Sequence, residues 1–127
     1  MSKAETVLVV DDDRLVQATF RALLEPEGYD VVLASDGVEA LQMLGSHPVD
    51  AVLLDVLMPN KDGLETLLEM KQRRPKLPVF VISGGGARGR HDFLSLAQRF
   101  GADATLTKPL CLQELLSHLR GRTTQAA

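Results

Sequence analysis

Val7-Leu8-Val9-Val10-Asp11-Asp12-Asp13 runs four apolar residues straight into three acids. The apolar run is a strand. Beyond the acids, Val16, Phe20, Leu23 and Leu24 fall at offsets zero, four, seven and eight, which is one face of a helix. Strand, acidic turn, helix is therefore the opening unit, and the rest of the chain repeats its rhythm. Pro26 and Gly28 close the first helix, and Val31 to Ala34 form a second strand. Ser35-Asp36-Gly37 offers polar caps to a helix that carries Val38, Leu41 and Leu44 and ends at Gly45-Ser46-His47-Pro48. Ala51 to Leu54 is too uniformly apolar to have a wet face, so this third strand should be covered on both sides.

The alternation continues to the carboxyl terminus. A helix with Leu64, Leu67, Leu68 and Met70 stops at Arg74-Pro75, because the proline ring disfavours a helical residue before it. Val79 to Ile82 is the fourth strand, and Gly84 to Gly86 precede a helix with Phe93, Leu94, Ala97 and Phe100 that ends at Gly101. Ala104 to Thr107 is a weaker fifth strand, Leu112, Leu115, Leu116 and Leu119 mark the last helix, and residues 122–127 are expected to be a disordered tail. Five strands alternating with five helices imply an α/β domain with a parallel sheet and helices on both faces.

Composition bounds the function. The chain has 127 residues and one cysteine, and 14 basic against 17 acidic side chains give a net charge of −3. A chain of this length supports one core, so a single domain over residues 5–121 is expected, with no separate DNA-binding domain. A lone Cys111 forms no internal disulfide, and no segment reads as a signal peptide or membrane span. A cytoplasmic protein is expected, and a mildly acidic one has no general attraction for nucleic acid or anionic membranes.

The polar residues that end the strands carry the chemistry. Strand one stops at Asp11-Asp12, strand three at Asp55, strand four at Ser83 and strand five at Lys108. In a parallel sheet these all face one edge, and the functional crevice of such folds lies there. Neighbouring strands are about 4.8 Å apart, so adjacency of strands one and three would crowd three carboxylates into one basin. Carboxylates that close retain a proton or recruit a cation. One Lys108 cannot neutralise three of them, and an oxygen-only set suits a hard cation such as Mg²⁺ rather than zinc. A cation, a lysine and a hydroxyl around a carboxylate point to phosphoryl transfer, with Asp55 as the nucleophile. The register of the first pair stays open between Asp11-Asp12 and Asp12-Asp13, although the apolar run ends at Val10 and Asp13 suits a helix N-cap.

Val9-Val10-Asp11-Asp12, Asp55 followed by Met58-Pro59-Asn60 and Asp62-Gly63, Ser83 after the fourth strand, and Lys108-Pro109 together resemble the receiver domain of two-component response regulators, the CheY-like fold. The resemblance covers about residues 5–121 and implies the strand order 2-1-3-4-5. It also implies that Asp55 accepts a phosphoryl group and that Asp12, Asp55 and the Leu57 carbonyl ligate Mg²⁺, with Asp11 acting largely through water. Ser83 and Lys108 would bind the phosphoryl oxygens, and Lys108-Pro109 would be a cis peptide. The donor would be a sensor histidine kinase or a histidine phosphotransfer protein, and the target would bind the face of helix four, strand five and helix five. Such a protein is not a conventional enzyme: it catalyses only its own phosphorylation and a slow autodephosphorylation, since Leu57 and Gly85 stand where the family orients a hydrolytic water.

Two departures from the family pattern stand out. Thr105 occupies the place of the switch aromatic, and Ser83 is followed by Gly84-Gly85-Gly86, as in a subset of stand-alone receivers. A glycine backbone can close on a phosphoryl group by main-chain movement, so loop closure with Ser83 would replace a ring rotation. Among rivals, a dehalogenase-type phosphatase needs an acid two residues after its nucleophile, where Leu57 stands. A flavodoxin-type carrier needs a phosphate-cradling first loop, which three acids would repel. A receiver-shaped adaptor that works unphosphorylated would have no use for the full set of acids, hydroxyl and lysine.

Other features read blandly. Lys71, Arg73, Arg74 and Lys76 suit the carboxyl end of a helix, where the dipole favours cations. Arg88, Arg90 and His91 read equally as a partner contact or an exposed turn, and Cys111 reads as a packed structural residue.

Overall fold

The computed structural model describes residues 4–55, 63–83, 90–107 and 111–126. The strands are β1 (Thr6–Val10), β2 (Asp30–Ala34), β3 (Ala51–Asp55), β4 (Val79–Ser83) and β5 (Ala104–Thr107). They alternate with α1 (Arg14–Leu24), α2 (Gly37–Ser46), α3 (Gly63–Arg73), α4 (Arg90–Arg99) and α5 (Leu112–Ala126), and a short 3₁₀ turn at Glu25–Glu27 follows α1. The sheet is parallel throughout, in the order β2-β1-β3-β4-β5. β1 thus lies between β2 and the central strand β3.

Period-two alternation divides the core. Leu8, Val10, Val52, Leu54, Val79 and Val81 face one layer with Ala40, Leu44, Leu67, Met70 and Ala97 from α2, α3 and α4. Val7, Val9, Ala51, Leu53, Phe80 and Ile82 face the other, against Phe20 and Leu24 of α1 and Leu115, Leu116 and Leu119 of α5. All five residues of β1 and of β3 are buried, because each face is covered by helices.

Helix boundaries follow local chemistry. Asp13 caps α1, its carboxylate accepting from Leu15 N at 2.8 Å, and Asp36 caps α2 by accepting from Glu39 N at 2.8 Å. α4 ends at Gly101, whose φ of 103° is one that L side chains rarely adopt. α2 and α3 pack closely at Gly37, where an added Cβ would collide with Oγ1 of the buried Thr66.

Several faces differ from the periodicity. Leu23 is partly exposed, and Gln17 takes its place in the buried arc with Phe20 and Leu24. Val38 is 70% exposed, because the covered face of α2 is the one carrying Ala40 and Leu44. Cys111 is exposed rather than packed: it precedes α5 and contributes its carbonyl, which accepts from Leu115 N. The backbone of α5 continues helically over residues 122–126, where composition suggests a tail, since no proline interrupts it and extension of an existing helix is cheap.

Two aspartates tie the amino-terminal edge of the sheet. Asp50, just before β3, accepts from Thr6 N at 2.8 Å, and Asp103, just before β5, accepts from Val79 N at 2.8 Å. Each supplies an acceptor to the first N–H of the neighbouring strand, and each returns its own N–H to the same residue's carbonyl. Lys71 Nζ joins the second knot, donating to Asp103 Oδ2 at 3.0 Å and to Leu77 O at 2.8 Å. Lys71 is therefore a pin between α3, the β4 approach and the β5 approach rather than a solvated cap.

Asp103→Ala strands the Val79 N–H and removes the carboxylate partner of the Lys71 ammonium, and urea unfolding is expected to show a loss of about 1–3 kcal/mol. Gly37→Ala is expected to cost a similar ~1–3 kcal/mol by overpacking against Thr66, and an unchanged urea midpoint would contradict that contact.

Candidate functional site: an acidic pocket at the carboxyl edge of the sheet

β1 and β3 pair in register as Val10 with Leu54, so Asp11 and Asp55 are the next residues on adjacent strands. Both also share the parity of Val9 and Leu53, on the side of the sheet covered by α1 and α5. Asp11 is 2% and Asp55 6% exposed, while Asp12 is exposed. One carboxylate oxygen from each of Asp11, Asp12 and Asp55 lies within 4.8 Å of the other two. The open register is settled by this geometry: Asp11-Asp12 joins Asp55, and Asp13 serves as the N-cap of α1.

Local structure explains how the acids are held. Asp11 Oδ1 accepts from Asp13 N at 2.9 Å, which folds the turn back on itself. The turn leads directly into the amino terminus of α1, where the helix dipole is favourable to negative charge. Asp11 N donates to Ala34 O at 3.0 Å, continuing the β1–β2 ladder by one bond. Beyond it Gln17, 7% exposed, donates through Nε2 to Asp11 O at 2.7 Å, to Ser35 Oγ at 3.2 Å and to Ala34 O at 3.3 Å.

The donor set fits a hard divalent cation. All three groups are carboxylates, two are buried, and their spacing can be spanned by direct and water-mediated ligands. The Leu57 carbonyl, the Gly84 loop, Lys108 and the Lys108-Pro109 peptide lie outside the described residues. Ser83 ends β4, level with Thr107 of β5, and its side chain lies outside the described part. Thr105 is half-buried on β5, opposite Val81. The structure therefore brings together the three acids and places the strand that ends in Ser83 beside β3.

Gln17 is the residue that the helical pattern hides. It stands three residues before Phe20 and seven before Leu24, so the same spacing that marks those two as core marks Gln17 as buried. A polar side chain at such a position signals a buried hydrogen-bonding task.

The response regulator receiver domain family matches residues 7–120. A curated relative, the response regulator MprA of Mycobacterium ulcerans (strain Agy99), is 44% identical over 114 residues, which are 90% of this chain and 48% of that protein. The chain thus spans about half the length of the curated relatives it matches. Among solved structures, a CheY-like receiver domain protein from Methanospirillum hungatei JF-1 superposes with a TM-score of 0.87 at 25% identity, covering 97% of this chain and 96% of that one. A receiver domain protein from Clostridium thermocellum gives 0.86 at 29% identity, covering 96% of each chain.

Because the acids repel one another, Asp12→Asn is expected to stabilise the cation-free protein by on the order of 1 kcal/mol. The same substitution is expected to shrink the rise in melting temperature that Mg²⁺ gives the wild type. Thermal unfolding in chelator and in Mg²⁺ measures both, and a variant less stable in chelator would contradict the electrostatic account.

Proposed function

Since the chain belongs to the response regulator receiver domain family, we propose that it accepts a phosphoryl group from phosphohistidine on Asp55 and signals through the resulting aspartyl phosphate. The observation that carries this is the buried Asp55 carboxylate at a strand end, with Asp11 opposite it in register and Asp12 alongside. Attack by an Asp55 oxygen on phosphorus forms the acyl phosphate and breaks the phosphorus–nitrogen bond, and the leaving imidazole keeps the bonding pair and takes a proton.

Asp11, Asp12 and Asp55, with the Leu57 carbonyl, would hold Mg²⁺. When bound, Mg²⁺ supplies positive charge that offsets the acids and the phosphoryl oxygens. Ser83 and Lys108 are proposed to bind the remaining phosphoryl oxygens, with the main chain at Gly84 closing on them. The fixed acids orient the nucleophile, and catalysis is mostly positioning and electrostatics. In this role the protein promotes its own phosphorylation and a slow dephosphorylation, for Leu57 and Gly85 lack side chains that could orient a hydrolytic water.

The donor is proposed to be a sensor histidine kinase or histidine phosphotransfer protein in the cytoplasm, and the target to bind α4, β5 and α5. Thr105 in place of an aromatic supports a switch through the Ser83-Gly84-Gly85-Gly86 loop. Phosphorylation would shift a pre-existing two-state equilibrium. Among the described residues no helix is long and apolar enough to cross a membrane. A stand-alone receiver at residues 5–121 is proposed, and the mass of the protein in its host distinguishes this from attachment to an output domain.

Incubation with acetyl phosphate and Mg²⁺ is expected to add the mass of one phosphoryl group, and both chelator and Asp55→Asn are expected to abolish the addition. Phosphorylation that persists in Asp55→Asn would remove Asp55 from this role. Loss of the group within seconds in a chase would contradict slow autodephosphorylation.

A further inference from the structure

Three carboxylates held within 4.8 Å of one another repel, and a flexible turn would relax by carrying the exposed Asp12 away from Asp11 and Asp55. Something must hold the Asp11-Asp12-Asp13 segment in place before a cation arrives. Asp13 holds it from the helix side: its side chain accepts from Leu15 N, and its carbonyl accepts from Gln17 N at 3.0 Å. From the sheet side, paired residues of β1 and β2 end at Val10 and Ala34, and Asp11 O lies past that last pair. Gln17 Nε2 donates to that carbonyl at 2.7 Å, its shortest bond, and also reaches Ala34 O and Ser35 Oγ.

We infer that Gln17 is a positioning residue for the cation pocket, its amide extending the β1–β2 ladder past its last backbone rung and fixing the turn that carries Asp11 and Asp12. The inference rests on the proposed cation site. The segment from Asp11 to Gln17 becomes a closed loop, joined backbone to side chain at one end and helix to cap at the other. Repulsion among the acids is then borne by the folded scaffold, and cation binding needs no rearrangement. A neutral amide suits this task, because it restrains the turn without cancelling the negative charge that attracts a cation. Gln17 also joins Asp11 to Ser35, so the start of the β2–α2 loop is tied to the same pocket.

Nuclear magnetic resonance titration of the amide signals of Asp12 and Asp13 with Mg²⁺ tests the assignment. Gln17→Met keeps the bulk and loses the donors, and its Mg²⁺ dissociation constant is expected to rise about 10- to 100-fold, as when supporting partners of metal ligands are removed. Gln17→Asn keeps an amide one methylene too short to span the same gap, and is expected to weaken binding likewise if Gln17→Met does not fold. Asp103→Ala, destabilised at the opposite edge of the sheet, is expected to bind Mg²⁺ as the wild type does, which separates positioning from stability. Wild-type affinity in a folded Gln17 variant would overturn the inference, as would equal weakening in Asp103→Ala. Failure of the wild type itself to bind Mg²⁺ would instead overturn the cation site on which the inference rests.

Discussion

Mutual repulsion among Asp11, Asp12 and Asp55 is the constraint to which the rest of the molecule answers. Like charges this close, two of them nearly excluded from water, destabilise a fold unless their surroundings offset them. The chain does so at several scales. The Asp13 N–H donates to the Asp11 carboxylate, the amino terminus of α1 presents its favourable dipole end, and the buried Gln17 amide holds the backbone still. The three-carboxylate donor set fits a divalent cation.

The two edges of the sheet use aspartate in opposite ways. At the amino-terminal edge, Asp50 and Asp103 stand just before β3 and β5 and accept hydrogen bonds from the first N–H groups of neighbouring strands. There each carboxylate has a defined donor and pins one strand to the next. At the carboxyl-terminal edge, Asp11 follows β1, Asp55 ends β3, and the two meet each other. A parallel sheet creates this polarity, since all strands begin at one edge and end at the other. Carboxylates with defined amide donors stand where the strands begin, and the clustered carboxylates stand where they end.

Most of the architecture was legible because strand and helix periods differ and the chain alternates them cleanly. The N-caps Asp13 and Asp36, the Gly101 stop and the fully covered β3 follow from local rules that tertiary contacts had no reason to override. Sequence pattern and structure differ where a helix can rotate. Apolar spacing marks a face but not its midpoint, so it points Leu23 and Val38 inward although the neighbouring arcs are the covered ones. Lys71 looks solvated in the sequence because nothing local reveals that Asp103 and Leu77, distant or beyond a turn, come within reach of its ammonium.

By itself the sequence determined the α/β class, the strand-ending acids and the receiver resemblance, because each is written in short-range pattern: runs, caps and the first polar residue after a run. Tertiary structure alone decided which acids meet. The adjacency of β1 and β3, with Val10 level with Leu54, brings Asp11 to Asp55 across 44 residues of chain and leaves Asp13 to cap a helix. It also brings the buried Gln17 amide to the Asp11 carbonyl, a partner that helical spacing does not name. Register and helix rotation are global quantities, set by how two layers of helices close over one sheet, and no local pattern encodes them.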